Sequence, residues 1–70
     1  MKRGSEREAQ LISFMLALTR GVKGRYALSR ELGLGEGVLK GIYKELRDLG
    51  LIRVGRGGAW LTSEGRRELE

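Results

Sequence analysis

The chain has no cysteine and no histidine among its 70 residues. Neither a disulfide framework nor a thiolate or imidazole metal site can therefore hold the fold together. Acid–base chemistry through an imidazole is excluded as well. No hydroxyl has a base beside it, and the acids stand singly along helical segments, so no paired carboxylate or metal cluster forms. The glycine-rich stretch Gly55–Gly58 lacks the Gly-Lys-Ser/Thr ending and following helix of a phosphate loop. No enzyme activity, cofactor, metal or small-molecule ligand is expected. No apolar run approaches the roughly 18 residues of a membrane span. The start, Met-Lys-Arg-Gly-Ser-Glu, has no hydrophobic stretch of a signal peptide. A cytoplasmic protein with no membrane partner is expected. Asparagine and proline are also absent and glutamine occurs once, which suits an archaeal or thermophilic source.

What is present is charge, unevenly placed. The formal balance is +5 with a pI near 10.2. From Arg20 to Arg56 there are nine bases against four acids, whereas the segments on either side are nearly balanced. Excess positive charge on one segment is the footprint of a polyanion binder, although richness in Arg and Glu is also a thermophile trait. A chain this short buries only about 60% of its unfolded surface, so one domain with a thin stability margin is expected, held by helix packing and helped by self-association.

A first helix is expected from Ser5 to Thr19, with Ser5 as N-cap and Glu6 and Glu8 favouring the N-terminal dipole. Leu11, Phe14, Met15 and Leu18 repeat at helical spacing and mark its core face. Ala9, Ile12 and Leu16 form a second apolar stripe. Either it is a homodimer seam, or the C-terminal helix covers it. Gly21–Gly24 is a basic connector in which Val22 adds a short edge strand. A second helix follows over 25–32, with Leu28 and Leu32 on one face. Gly33 stops it in a left-handed conformation and Leu34 supplies the closing apolar contact.

The third helix should run over 36–49, with Gly35 as a weak N-cap. At 100° per residue Leu39, Ile42, Leu46 and Leu49 cluster on the core side. Gly37, Lys40, Gly41 and Lys44 lie opposite, with Arg47 and Asp48 toward the edges and Tyr43 at the border of the core face. Gly50 and Leu51 end this helix as Gly33 and Leu34 ended the previous one. The runs 51–54 and 59–62, separated by Gly-Arg-Gly-Gly, form a β-hairpin. Alternation turns Ile52, Val54, Ala59 and Leu61 inward and Arg53, Trp60 and Thr62 outward. Thr62 or Ser63 then caps a short helix over 63–70, which Gly65 weakens. The abrupt end after Glu70 leaves open that this is the first domain of a longer protein.

This order of elements, carried by Leu28–Leu34, Lys40–Ile52 and Leu61–Gly65, resembles the winged helix-turn-helix DNA-binding domains of bacterial and archaeal transcriptional regulators. Gly33–Gly37 is also similar to uncharacterised archaeal winged-helix proteins. The resemblance implies an α+β fold, mainly α with a small β-hairpin: a three-helix core, a wing and a short C-terminal helix in a single domain over 1–70. It also implies a third helix in the major groove of double-stranded DNA with the wing on the backbone or minor groove. Residue by residue, the expected contacts are Arg25, Gly37, Lys40, Gly41, Lys44, Arg47, Arg53 and Arg56. Such domains usually place Ser, Thr and Arg at the start of the third helix, where this chain has Gly35, Glu36, Gly37 and Val38. Contact driven by phosphates is expected more than base reading.

Gly37 and Gly41 leave a smooth strip that admits a phosphate or a partner helix, or else lies on a surface under weak demand. That partner helix is the alternative function: a protein-interaction or assembly module without DNA readout. RNA or a nucleic-acid end would also suit the basic surface. Arg53 and Arg56 serve DNA contact or protect a strand edge. Trp60 stacks under Arg53 or Tyr26, joins a partner interface, or touches a sugar. Arg30 flanks the groove or pairs with Glu31. Arg66 and Arg67 are surface residues, and Lys2, Arg3 and Arg7 form a basic arm.

Overall fold

The protein is described from a computed structural model covering residues 4–70. Lys2 and Arg3 of the expected basic arm lie outside the described residues. Four helices and one hairpin follow in order: α1 (Gly4–Leu18), α2 (Arg25–Leu32), α3 (Glu36–Asp48), β1 (Ile52–Gly55), β2 (Gly58–Leu61) and α4 (Ser63–Glu68). The layout is the mainly helical α+β arrangement expected, with β1 and β2 paired antiparallel. α1 already includes Gly4, so Ser5 lies within the helix rather than before its first residue.

The core forms where the apolar stripes of three helices meet the inner face of the hairpin. Phe14, Leu18, Leu28, Leu39, Ile42, Leu46 and Ile52 are its large, fully buried side chains. Leu11, Leu32 and Leu34 pack against its edge. Ala17 is buried as well, beside Leu18 rather than on the expected stripe, because α1 is crossed by more than one neighbour. Phe14 meets Tyr43 edge to face, ring centroids 5.2 Å apart at 84°. Such a pair adds about 0.5–1.5 kcal/mol beyond area burial and joins α1 to α3.

Both glycine stops form as the sequence implies. Gly33 takes φ 67°, its N–H and that of Leu34 both donate to the Ser29 carbonyl, and the Ser29 hydroxyl donates to the Leu34 carbonyl at 2.7 Å. At the end of α3, Gly50 takes φ 77°; its N–H donates to Arg47 and that of Leu51 to Leu46, which satisfies carbonyls the helix leaves open. Thr62 couples this stop to the last helix. Its hydroxyl donates to the Gly50 carbonyl at 2.7 Å and accepts from the Gly65 N–H at 3.1 Å, so Thr62 is the cap of α4.

Several expectations change in three dimensions. Leu49 is 61% exposed, since α3 ends at Asp48 and Leu49 serves as the cap beyond the core stripe. Val54 is also exposed, because the hairpin runs past the core at that point, while its partner Ala59 stays buried under the connector. That connector adds one bridge, and Lys23 makes it rather than Val22: Lys23 and Ala59 exchange both backbone hydrogen bonds, at 3.1 and 2.9 Å. Gly65 is required rather than tolerated. A Cβ there would meet the Leu51 carbonyl oxygen, so the missing side chain lets α4 lie against the chain leaving α3.

Candidate nucleic-acid interface

α3 supplies the spine of the site. With Leu39, Ile42 and Leu46 buried, Lys40, Lys44 and Arg47 are held outward at spacings of four and three residues. Lys44 also reaches Asp48 at 3.4 Å, in a pair exposed on both sides and worth little in water. Lys40 and Arg47 have no ion-pair partner among the described residues.

Two further arginines approach from other elements. Arg25 opens α2 and Arg56 occupies the tip of the hairpin. With Arg47 they line a cleft of about 420 Å³ between α2, α3 and the hairpin. Its remaining wall is Tyr43, Val54 and bare backbone at Gly24, Gly55, Gly57 and Gly58. No carboxylate lines it. Burial raises the Tyr43 hydroxyl pKa above its ordinary 10.0, and the positive charge of Arg25 partly opposes the shift, so Arg25 and Tyr43 sense each other electrostatically.

Arg47 also borders a second groove, along β1 beside the end of α3, with Arg53 and Trp60. Trp60 packs locally, although neither under Tyr26, which is 81% exposed, nor in open solvent. Its ring crosses the bare backbone of Gly55, where a Cβ would come within 2.8 Å of the ring. Arg53 stands opposite Trp60 in the strand register.

The glycine strip is not continuous. Gly37 is exposed, with nothing within 4 Å of where a Cβ would stand. Gly41, expected on the outward face, lies half-buried under α1: the Arg7 Nη2 atom sits 3.1 Å from the position of its missing Cβ. Arg7 reaches across because its Nε donates to Glu45 Oε1 at 3.2 Å and its Nη1 to Gln10 Oε1 at 3.3 Å. Gly41 thus makes room for an internal ion pair, and Arg7 belongs to that pair rather than to an arm. On α2, Glu31 pairs with Lys23 at 3.4 Å, which leaves Arg30 as an exposed cation.

Of the eight residues expected to contact nucleic acid, the fold gathers Arg25, Arg47, Arg53 and Arg56 around two adjoining grooves, keeps Lys40, Lys44 and Gly37 exposed on α3, and removes Gly41. Tyr43 was missed as part of the site. Its place four residues before Arg47, at the edge of the core stripe, is the signal that points to it. The expected self-association stripe is exposed: Ala9 faces solvent, and Ile12 is 46% and Leu16 52% exposed. Ile12 borders an apolar groove with Leu11, Met15, Leu49 and Leu69.

Among the described residues no helix is long and apolar enough to cross a membrane. Comparison with protein-family models, curated proteins and solved structures finds no match to the chain.

Proposed function

We propose that the chain is a winged-helix DNA-binding protein, a cytoplasmic transcriptional regulator that sets α3 in the major groove of duplex DNA and lays the hairpin on the adjacent backbone or minor groove. One observation carries this reading: cations from α2, α3 and the hairpin tip, Arg25, Arg47 and Arg56, meet at one cleft that no carboxylate lines, beside the exposed Lys40 and Lys44 of the same helix. Side chains from three elements gathered in this way suit a multiply charged phosphate polymer. The start of α3 is poorly equipped to read base edges, since Gly37 has no side chain and Glu36 carries the charge that phosphate repels. Affinity therefore comes mostly from phosphate contacts.

If Arg25, Lys40, Lys44, Arg47 and Arg56 each neutralise one phosphate, log K against log salt falls with a slope of about −4 to −5. Fluorescence anisotropy with random-sequence duplex across a salt series measures it. No binding at micromolar protein and low salt, or an affinity indifferent to salt, refutes the reading.

The exposed Ile12 and Leu16 support a homodimer formed through α1, with Ala9 in the same seam. They are also what a protein-interaction module would present. The Gly37–Gly41 strip supports such a module less, because Arg7 overlies Gly41.

A further inference from the structure

The arginine-lined cleft differs from two other grooves among the described residues in lacking acid: the groove along β1 includes Glu64, and the apolar groove beside α1 includes Glu8 and Glu68. The cleft of Arg25, Arg47 and Arg56 has three guanidiniums and none of the chain's carboxylates, and none of the three arginines forms an ion pair among the described residues. A volume of about 420 Å³ corresponds to a sphere roughly 9 Å across, comparable to the ~8 Å screening length at physiological salt, so a group seated in the cleft lies within one screening length of all three charges.

We propose that this cleft holds a terminal phosphate monoester, the phosphorylated end of a nucleic-acid strand, in preference to a phosphate in mid-chain. The proposal rests on the nucleic-acid reading above and names the group that its central cleft selects. An internal phosphodiester carries one negative charge and is flanked by sugars on both sides. A monoester carries about −1.5 to −2 at neutral pH and presents three acceptor oxygens. Three arginines, one each from α2, α3 and the hairpin, more than balance that charge and equal that number of oxygens, and a guanidinium fork favours two-oxygen contact. On the hairpin side Gly55, Gly57 and Gly58 contribute backbone rather than charged side chains to the cleft wall. Arg47 then connects the end-binding cleft to the groove of Arg53 and Trp60, along which the strand continues.

The same chemistry is carried by a free nucleotide, so the experiment separates the two sources. Anisotropy is measured on two short duplexes, identical except for 5′-phosphate or 5′-hydroxyl ends. The phosphorylated duplex should bind tighter by on the order of tenfold, the equivalent of ~1.4 kcal/mol. Arg25→Ala and Arg56→Ala should weaken both duplexes and bring that ratio close to one, and Arg56→Lys should lower the ratio, because the charge remains and the fork is lost. Lys40→Ala should weaken both duplexes alike.

The ratio should also shrink as pH falls from 7 toward 5, because the second ionisation of a phosphate monoester lies near 6. A guanidinium keeps its charge across that range, the chain has no histidine, and the other titratable group facing the cleft, Tyr43, has its pKa raised above 10.0, so the change belongs to the ligand. Competition with a nucleoside monophosphate identifies the source. Displacement only by phosphorylated oligonucleotide supports the strand end, whereas equal displacement by the mononucleotide overturns that assignment. Equal binding of the two duplexes by the unaltered protein overturns the proposal and leaves duplex binding standing. Failure to bind either duplex refutes the broader reading.

Discussion

Replacing Gly41 with alanine sets two effects of known size against each other. In a helix interior alanine is favoured over glycine by about 0.8–1.0 kcal/mol. Against this, the new Cβ would stand 3.1 Å from the Arg7 Nη2 atom, tighter than ordinary contact. The obstacle is the far end of a flexible side chain whose exposure is 40%, so a shift of a few tenths of an ångström relieves it. Even complete loss of the Arg7–Glu45 pair would cost only about 0.2–1 kcal/mol in so exposed a setting. The balance favours alanine by about 0.5 kcal/mol, and for a domain of this size that raises Tm by about 2–4 °C. In an Arg7→Ala background the clash is gone, and the gain should return to nearly the full helix-propensity value. Thermal melts followed by circular dichroism measure both. Because Arg7 covers Gly41, duplex affinity should change by less than about twofold. A fall in Tm would mean that Arg7 cannot move. A tenfold loss of DNA affinity at unchanged stability would show that the nucleic acid approaches the backbone at Gly41, and would refute the placement of this position beneath α1.

Gly65→Ala should behave in the opposite way, although it too is a glycine in a helix. Its Cβ meets backbone, the Leu51 carbonyl, and lifting α4 costs about 2 kcal/mol or more, seen as a drop in Tm of about 8–16 °C; a higher Tm would refute the close approach. Arg25→Ala removes the positive charge that opposes the burial shift of Tyr43, so in a Tyr26→Phe background the tyrosinate absorbance should appear at higher pH than with Arg25 present. The raised pKa also has a sign for stability. Above pH 10.0 the unfolded chain loses this proton while the folded chain keeps it, so stability falls with rising pH until Tyr43 itself ionises, a trend that alkaline denaturation curves would reveal and Tyr43→Phe should reduce. Leu16→Glu places a charge in the proposed seam, where the residue is half exposed, and should convert a dimer to a monomer without lowering protomer helicity; a monomeric mass for the unaltered protein at micromolar concentration would refute the seam.

The elements were legible because local signals agree with one another. The two glycine stops, each followed by leucine, define the ends of α2 and α3 through backbone geometry that few other residues adopt readily. The stripe of Leu39, Ile42 and Leu46 has one side to bury, and a helix that buries it must hold Lys40 and Lys44 outward. Failures occur where periodicity continues past the partner it packs on. Leu49 and Val54 have the right phase for the core, yet no neighbouring element extends far enough to cover them.

By itself, then, the sequence determined the order of the helices and their limits to within a residue or two, the hairpin, the outward lysines of α3 and the concentration of positive charge in the middle of the chain. These follow from short-range physics: turn geometry, capping and amphipathic spacing. Only the tertiary structure decided which charges act together. Arg25 and Arg56 are 31 residues apart by their numbering and share no periodic pattern, so nothing local shows that they face one cleft with Arg47. Gly37 and Gly41 look alike on a helical wheel, yet α1 crosses only one of them and brings Arg7 over it. The wheel records which side of α3 faces away from the core; which neighbouring helix occupies that side depends on packing between distant segments.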